Sequence, residues 1–309
     1  MVAIFGPTAV GKSRIAVEVA GATGGEIISA DSMQIYRGLS ILTDQPSPEM
    51  LAEVPHHLIG VVPLTEDYSA ARYCREAQKV IGEVAERGSL PLLVGGTGLY
   101  VRALLGGLSF AGRSDTARRR WEEFVRDKGK GAAYDELRRL DPVAAAAVDR
   151  QNPRRLVRAL EAAGSGGPSL VAERDRLWSP QSRYRVLSFG LEMNRDDLYS
   201  KIERRVDKML SLGVVGEVRN ALRAGVSITA EQAIGFSDIK DYVEGRMSIE
   251  EAAAAIKSKS RHYAKRQLTW MRKMPDIVRI DLAGRTPARA AKEIIERIRL
   301  TGYIPDGTS

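Results

Sequence analysis

The sequence predicts an α/β fold, a parallel-sheet core flanked by helices and interrupted by a helical insertion. Three observations carry that reading. Short apolar runs alternate with glycine turns and helical stretches in the N-terminal third. One of those turns has the full spacing of a phosphate-binding loop. Near Gly112 the texture shifts to Ala, Arg and Glu, and strand-like runs return only after about residue 184. The expected division is a core of residues 1–112 and 184–309, with an insertion at 113–183.

The elements follow in order. Val2-Ala3-Ile4-Phe5 is a short apolar run ending at Gly6, which reads as a buried strand. Residues 12–19 read as a helix. Glu26-Ile27-Ile28-Ser29-Ala30 reads as a second strand that stops at Asp31. Residues 70–87 have helical composition and spacing. Leu90-Pro91-Leu92-Leu93-Val94 is another apolar run, followed by Gly95-Gly96-Thr97-Gly98 and a helix over 99–105. Strand, glycine turn and helix, repeated, give a parallel sheet. Residues 113–163 read as helices and end at the breaker Gly164-Ser165-Gly166-Gly167-Pro168. After Trp178-Ser179-Pro180 a strand is expected at 185–191. Helices then run to Pro275, with a last strand at 277–281, a last helix at 287–300 and a frayed tail from Gly302. Hinges are expected near Gly106-Gly107 and Ser179-Pro180.

Composition narrows the class. The 309 residues are 44% hydrophobic and 28% charged, as in an ordinary globular protein. No apolar run approaches the ~20 residues that span a bilayer, and no basic start leads into a long apolar segment, so neither a membrane span nor a secretory leader is expected. Cys74 is the single cysteine, which excludes an internal disulfide and a multi-cysteine zinc site. A reducing cytoplasm fits these features.

The net charge is +8, and its distribution is uneven. Residues 113–185 hold 17 Lys and Arg against 11 Asp and Glu, a surplus of six. Residues 257–273 hold seven basic residues and no acidic one. On a helix, Ile256, Tyr263, Gln267, Trp270 and Met274 share a packing face there, while Lys257, Arg261, Lys265 and Arg272 share a face roughly opposite. Such a face is either solvated charge or a contact to a phosphate backbone. The missing carboxylates favour the second.

Gly6-Pro7-Thr8-Ala9-Val10-Gly11-Lys12-Ser13 matches G-x-x-x-x-G-K-[ST] in full, between a strand and a helix. The backbone N–H groups of Gly6, Thr8, Ala9, Val10 and Gly11 suit phosphate oxygens, Lys12 reaches a phosphate, and the Ser13 hydroxyl suits Mg²⁺. By itself this loop points to a nucleotide kinase or ATPase. Such a site needs a second acid on the metal, and Asp31 or, less well placed, Asp281 would supply it.

The segment Asp31-Ser32-Met33-Gln34-Ile35-Tyr36-Arg37-Gly38 changes that reading, because it sets an acid, an amide and an aromatic ring beside the phosphate loop. With this segment the chain resembles the bacterial tRNA dimethylallyltransferases, the tRNA isopentenyltransferase family. Further matching pieces, in order, are Pro55-His56-His57-Leu58-Ile59, Leu93-Val94-Gly95-Gly96-Thr97-Gly98-Leu99-Tyr100, Arg155-Leu156-Val157-Arg158-Ala159-Leu160-Glu161, Arg205-Val206-Asp207-Lys208-Met209-Leu210, Gln232-Ala233-Ile234-Gly235-Phe236 and Tyr263-Ala264-Lys265-Arg266-Gln267-Leu268-Thr269-Trp270. The chain departs from the family at Ile41-Leu42-Thr43-Asp44-Gln45-Pro46, where the usual segment is Ile-Gly-Thr-Ala-Lys-Pro.

The resemblance implies a P-loop NTPase-like core and transfer of a dimethylallyl group from its diphosphate to N6 of adenosine 37 in a tRNA anticodon loop. It assigns the phosphate loop to the diphosphate, with Mg²⁺ on Ser13. It makes Asp31 the general base, with Thr97, Lys12 and Arg205 as further catalytic groups. It gives Asp31, Ser32, Met33, Gln34 and Thr97 to the target base and Arg154, Arg155, Arg158, Lys265 and Arg266 to the rest of the tRNA. A monomer is expected. The neighbouring readings are an adenylate isopentenyltransferase acting on free AMP or ATP, and an RNA-binding NTPase or kinase. His56 and His57 are expected to be structural, Trp121, Trp178 and Trp270 to be packed, and Cys74 to be a small core residue.

Overall fold

Val2–Phe5 (β1) is buried along its whole length and forms the middle of the sheet in the computed structural model. The structure describes residues 1–107, 115–164, 182–274 and 276–302. Trp178, the breaker residues 165–168, the Ser179-Pro180 hinge and the tail beyond Gly302 lie outside them.

After β1 the chain makes Lys12–Thr23 (α1), Gly25–Ala30 (β2), Ser40–Thr43 (α2), Pro48–Glu53 (α3), His56–His57 (β3), Ala70–Glu86 (α4), Leu90–Gly95 (β4) and Gly98–Leu105 (α5). Later come Leu187–Glu192 (β5), Arg195–Ser211 (α9), Val214–Ala224 (α10), Phe236–Val243 (α11), Ile249–Arg272 (α12), Ile277–Asp281 (β6) and Pro287–Leu300 (α13). The strand order is β3-β2-β4-β1-β5-β6, and every pairing is parallel. A parallel sheet is covered on both faces, so its strands are apolar throughout rather than alternating. VAIF and LPLLVG show this.

The register positions the site. Phe5 pairs with Gly95, and Gly95 pairs with Ala30. Three strands therefore end in one line, and the segments that follow them, 6–13, 31–34 and 96–97, leave the sheet side by side. In open parallel sheets the crevice beyond the carboxyl ends of the strands is where ligands bind.

Two cores support this edge. One joins Ile4, Ile15, Val19, Phe189, Leu191, Ile294 and Ile298 around the sheet. The other joins Leu39, Leu42, Val206, Val218, Phe236 and Ile256 beneath the later helices.

The described residues pack as two units, Met1–Leu104 with Tyr184–Ser309, and Leu105–Arg183. The second unit starts ahead of the composition change at Gly112, because its two ends are tied together: the Arg183 N–H donates to the Leu105 carbonyl at 2.7 Å. Its helices are Asp115–Leu140 (α6), broken at Gly129, Pro142–Ala147 (α7) and Pro153–Gly164 (α8). They close on Trp121, Leu137, Ala144, Leu156 and Leu160.

Candidate active site

The phosphate loop starts from the buried end of β1. Its turn uses left-handed backbone at Ala9 (φ 63°) and at Gly11 (φ 103°), the second of which only glycine adopts without strain. Val10 packs into the core, so it offers a ligand only its backbone. Helix α1 begins at Lys12 with no side-chain cap and no acid in its first turn. Its first N–H groups and the positive end of its dipole thus favour an anion.

Lys12 is half-buried, and its ammonium donates to the Pro7 carbonyl at 2.8 Å. Burial lowers its pKa to about 8; Asp31 and Asp44 oppose that shift and Arg205 adds to it. Arg205, from α9, reaches over the loop and donates through Nη1 to the Thr8 hydroxyl. Its Nε lies 3.4 Å from Asp44 Oδ2. Sequence reasoning placed Arg205 at the loop and missed Asp44.

Asp31 leaves β2 with one carboxylate oxygen committed. Oδ1 accepts the backbone N–H groups of Met33 (2.9 Å) and Gln34 (3.2 Å). Oδ2 has no hydrogen-bond partner among the described residues. Thr97 follows β4, and its N–H donates to the Ala30 carbonyl at 3.2 Å. Its hydroxyl accepts the Ser32 N–H at 3.1 Å and donates to Ser32 Oγ at 3.4 Å. Met33 packs on the second core.

Gln34 also has a task within the fold. Its amide NH₂ donates to the carbonyls of Asp44 (2.7 Å) and Thr43 (3.3 Å), so it holds the 40–46 loop and leaves Oε1 as its polar atom for a ligand.

Helix α12 supplies two groups that the sequence reading treated only as a packing face. Gln267 is buried; its Oε1 accepts the Thr8 N–H at 2.7 Å and its Nε2 donates to the Gly96 carbonyl at 3.0 Å. One amide thus ties the phosphate loop to the β4 loop. A Cβ at position 96 would lie 2.0 Å from that Nε2, so any other residue there would displace the amide. Tyr263 lies near Thr97, and burial together with the charge of Asp31 pushes its hydroxyl up to about 12. It therefore stays protonated.

The basic stretch divides on inspection. Lys257, Lys259 and Arg261 pair with Asp207 (2.6 Å), Asp238 (2.7 Å) and Glu203 (2.9 Å) from α9 and α11. The carboxylates missing from residues 257–273 come from elsewhere in the chain, which removes that argument for RNA contact at these three. Lys265 and Arg266 are exposed, with no carboxylate partner among the described residues; Arg266 lies over the Tyr263 ring at 5.6 Å. In the second unit Arg154 and Arg155 are exposed on α8, whereas Arg158 pairs with the buried Glu161 at 3.0 Å.

The remaining expectations concern packing. His57 Nε2 meets Glu26 Oε2 at 2.7 Å and His56 Nδ1 meets the Val54 carbonyl at 2.8 Å; His56 also lines a small cavity with Ser13 and Gln34. Trp121 is buried, Trp270 packs over Gly98, and Cys74 is buried with its thiol pushed up to about 12. Asp281 ends the edge strand β6, two strands from β1, so it is not beside the phosphate loop.

A family model described as IPP transferase matches residues 34–274. The chain belongs to that family. It is 45% identical over 280 residues to the tRNA dimethylallyltransferase of Geobacter sulfurreducens, covering 90% of each chain. It is 38% identical over 307 residues to that of Carboxydothermus hydrogenoformans, covering 98% of this chain and 99% of the other. The solved tRNA isopentenylpyrophosphate transferase of Bacillus halodurans superposes with a TM-score of 0.72 at 40% identity, covering 96% of this chain and 95% of its own. Among the described residues no helix is long and apolar enough to cross a membrane.

Proposed function

We propose that this family member transfers a dimethylallyl group from dimethylallyl diphosphate to N6 of adenosine 37 in the anticodon loop of tRNA. The observation that carries the reading is the common end of β1, β4 and β2. It sets an anion-binding loop, a hydroxyl and a carboxylate side by side.

The chemistry follows from those residues. The C–O bond of the donor breaks, and its electron pair leaves with the diphosphate. Lys12, Arg205 and the amides of residues 8–13 stabilise the charge where it grows. The adenine amine attacks poorly while its lone pair is conjugated into the ring, so it needs its proton drawn away as the N–C bond forms. Asp31 Oδ2 takes that proton, while Oδ1 stays fixed by the Met33 and Gln34 amides. Thr97, held by Ser32, positions the amine.

The Ser13 hydroxyl has no hydrogen-bond partner among the described residues and is the hard oxygen donor that Mg²⁺ accepts, with phosphates and water completing the shell. Bound there, Mg²⁺ would neutralise diphosphate charge. Arg154, Arg155, Lys265 and Arg266 contact the RNA backbone, and the target base leaves its stack to react. A monomer in the cytoplasm is the state that goes with this reading.

The test is prenyl transfer by purified protein with Mg²⁺ and dimethylallyl diphosphate, offered an unmodified anticodon stem-loop or AMP. The expected product is one C5 unit on the stem-loop adenosine and none on AMP, read by mass spectrometry. Transfer to AMP alone, or ATP turnover without transfer, overturns the reading.

A further inference from the structure

The loop between β2 and α3 places a carboxylate among the cations of this site. Asp44 caps the C-terminus of α2 in left-handed backbone (φ 55°, ψ 52°), its N–H donating to Ile41 and Ser40 carbonyls. The loop is tied at both ends. Glu217 on α10 accepts the N–H groups of Ile41 and Leu42, each at 2.8 Å. Gln34 Nε2 donates to the Asp44 carbonyl, and Gln45 Nε2 donates to the carbonyls of Gln34 (2.8 Å) and Tyr36 (2.9 Å). The backbone under Asp44 is thus fixed, while its side chain is 62% exposed.

Its Oδ2 lies 3.4 Å from Arg205 Nε, while the same guanidinium donates to Thr8 of the phosphate loop. A carboxylate and a diphosphate cannot both have the full attraction of one guanidinium. Their like charges also repel.

We propose that Asp44 competes with the diphosphate for Arg205, orienting the guanidinium over Thr8 while limiting how tightly the pyrophosphate product is held. The inference rests on the diphosphate reading above and makes Asp44 a positioning residue that acts through Arg205. Asp44 is largely exposed although Arg205 is only 27% so, and the effect is modest and screened by salt.

The test compares the full-length chain with Asp44→Asn and Asp44→Gly, both residue types that tolerate left-handed backbone. Calorimetric titration with inorganic pyrophosphate and Mg²⁺ is run at low and high salt, alongside KM for dimethylallyl diphosphate. In both variants the pyrophosphate Kd falls about two- to fivefold at low salt, KM falls with it, and the gain shrinks at high salt. An unchanged Kd in both variants overturns the proposal. So does weaker binding, which would give Asp44 to the metal or to loop structure. Tightened pyrophosphate without prenyl transfer by the parent chain would sink the substrate reading and leave the competition standing. Intact transfer with an unchanged Kd would sink the competition alone.

Discussion

In the proposed reaction, Asp31 and Lys12 have separable parts. Asp31→Asn keeps an acceptor for the Met33 and Gln34 N–H groups and removes the base. Prenyl transfer should fall by roughly 10²–10⁴-fold, the usual worth of general base catalysis, while pyrophosphate affinity changes little. A parallel loss of pyrophosphate affinity would instead place Asp31 on the metal. Lys12 gives a pH prediction. Burial lowers its pKa to about 8, and a diphosphate beside it must raise that value. Below about pH 7 the lysine is charged with or without ligand, so its contribution to affinity is flat. As pH rises through 8 the free protein loses the proton and binding must restore it. The Lys12 contribution to pyrophosphate affinity should then fall by up to about tenfold per pH unit. In Lys12→Arg, which does not titrate in this range, that part of the slope should vanish. An unchanged slope would detach Lys12 from the anion.

At the scale of elements, α12 braces the strand ends through one buried amide. Gln267→Leu fills a similar space but strips the partners from the Thr8 N–H and the Gly96 carbonyl. Two buried groups left unpaired should cost about 2–4 kcal/mol of unfolding free energy, taking 1–3 kcal/mol each with partial relaxation. Transfer should fall beyond that loss as the two loops lose alignment, measured by denaturant melts and by kcat on folded protein. The opposite end of β2 has its own brace. Glu26 is buried against Arg87 (2.8 Å) and His57 (2.7 Å). The Arg87 hydrogen bond, with His57 and Ser89 adding to it, pulls its pKa down to about 2. Its stabilisation is complete above about pH 4.5 and is lost as pH falls towards 2. Glu26→Gln should therefore destabilise the chain at neutral pH and flatten its acid unfolding curve. Equal acid sensitivity in both proteins would remove Glu26 from that role. What sequence reveals differs between these braces. β1, β2 and β4 were legible because buried parallel strands are unbroken apolar runs, and the phosphate loop was legible because its chemistry is local. Gln267 was assigned to a packing face, but its task depends on α12 crossing two loops that are distant in sequence. Asp44 and Glu217 were opaque for the same reason. His56–His57 pairs with Ile27 and Ile28 over only two residues, too short to leave a periodicity.

Over the whole molecule, charge is spent in two ways, and composition alone cannot separate them. A surplus of +8 includes cations already neutralised inside the fold, such as Lys257, Lys259, Arg261 and Arg158. Arg154 and Arg155 are exposed on α8, whose other face is packed. They are the part of the insertion's surplus best placed to meet an RNA backbone. Neutralising a phosphate releases a counterion, at about 0.7–0.9 in the log–log salt slope per contact. The double variant Arg154→Ala, Arg155→Ala should therefore raise KM for the stem-loop, reduce its salt slope by about 1–2, and leave pyrophosphate affinity unchanged. Arg158→Ala should behave in another way, because it removes a partner of the buried Glu161: melting temperature should drop, with no comparable change in the salt slope. If the double variant binds RNA with the parent's slope, the insertion's charge is ordinary solvated surface. The RNA contact would then rest on Lys265 and Arg266 of the core.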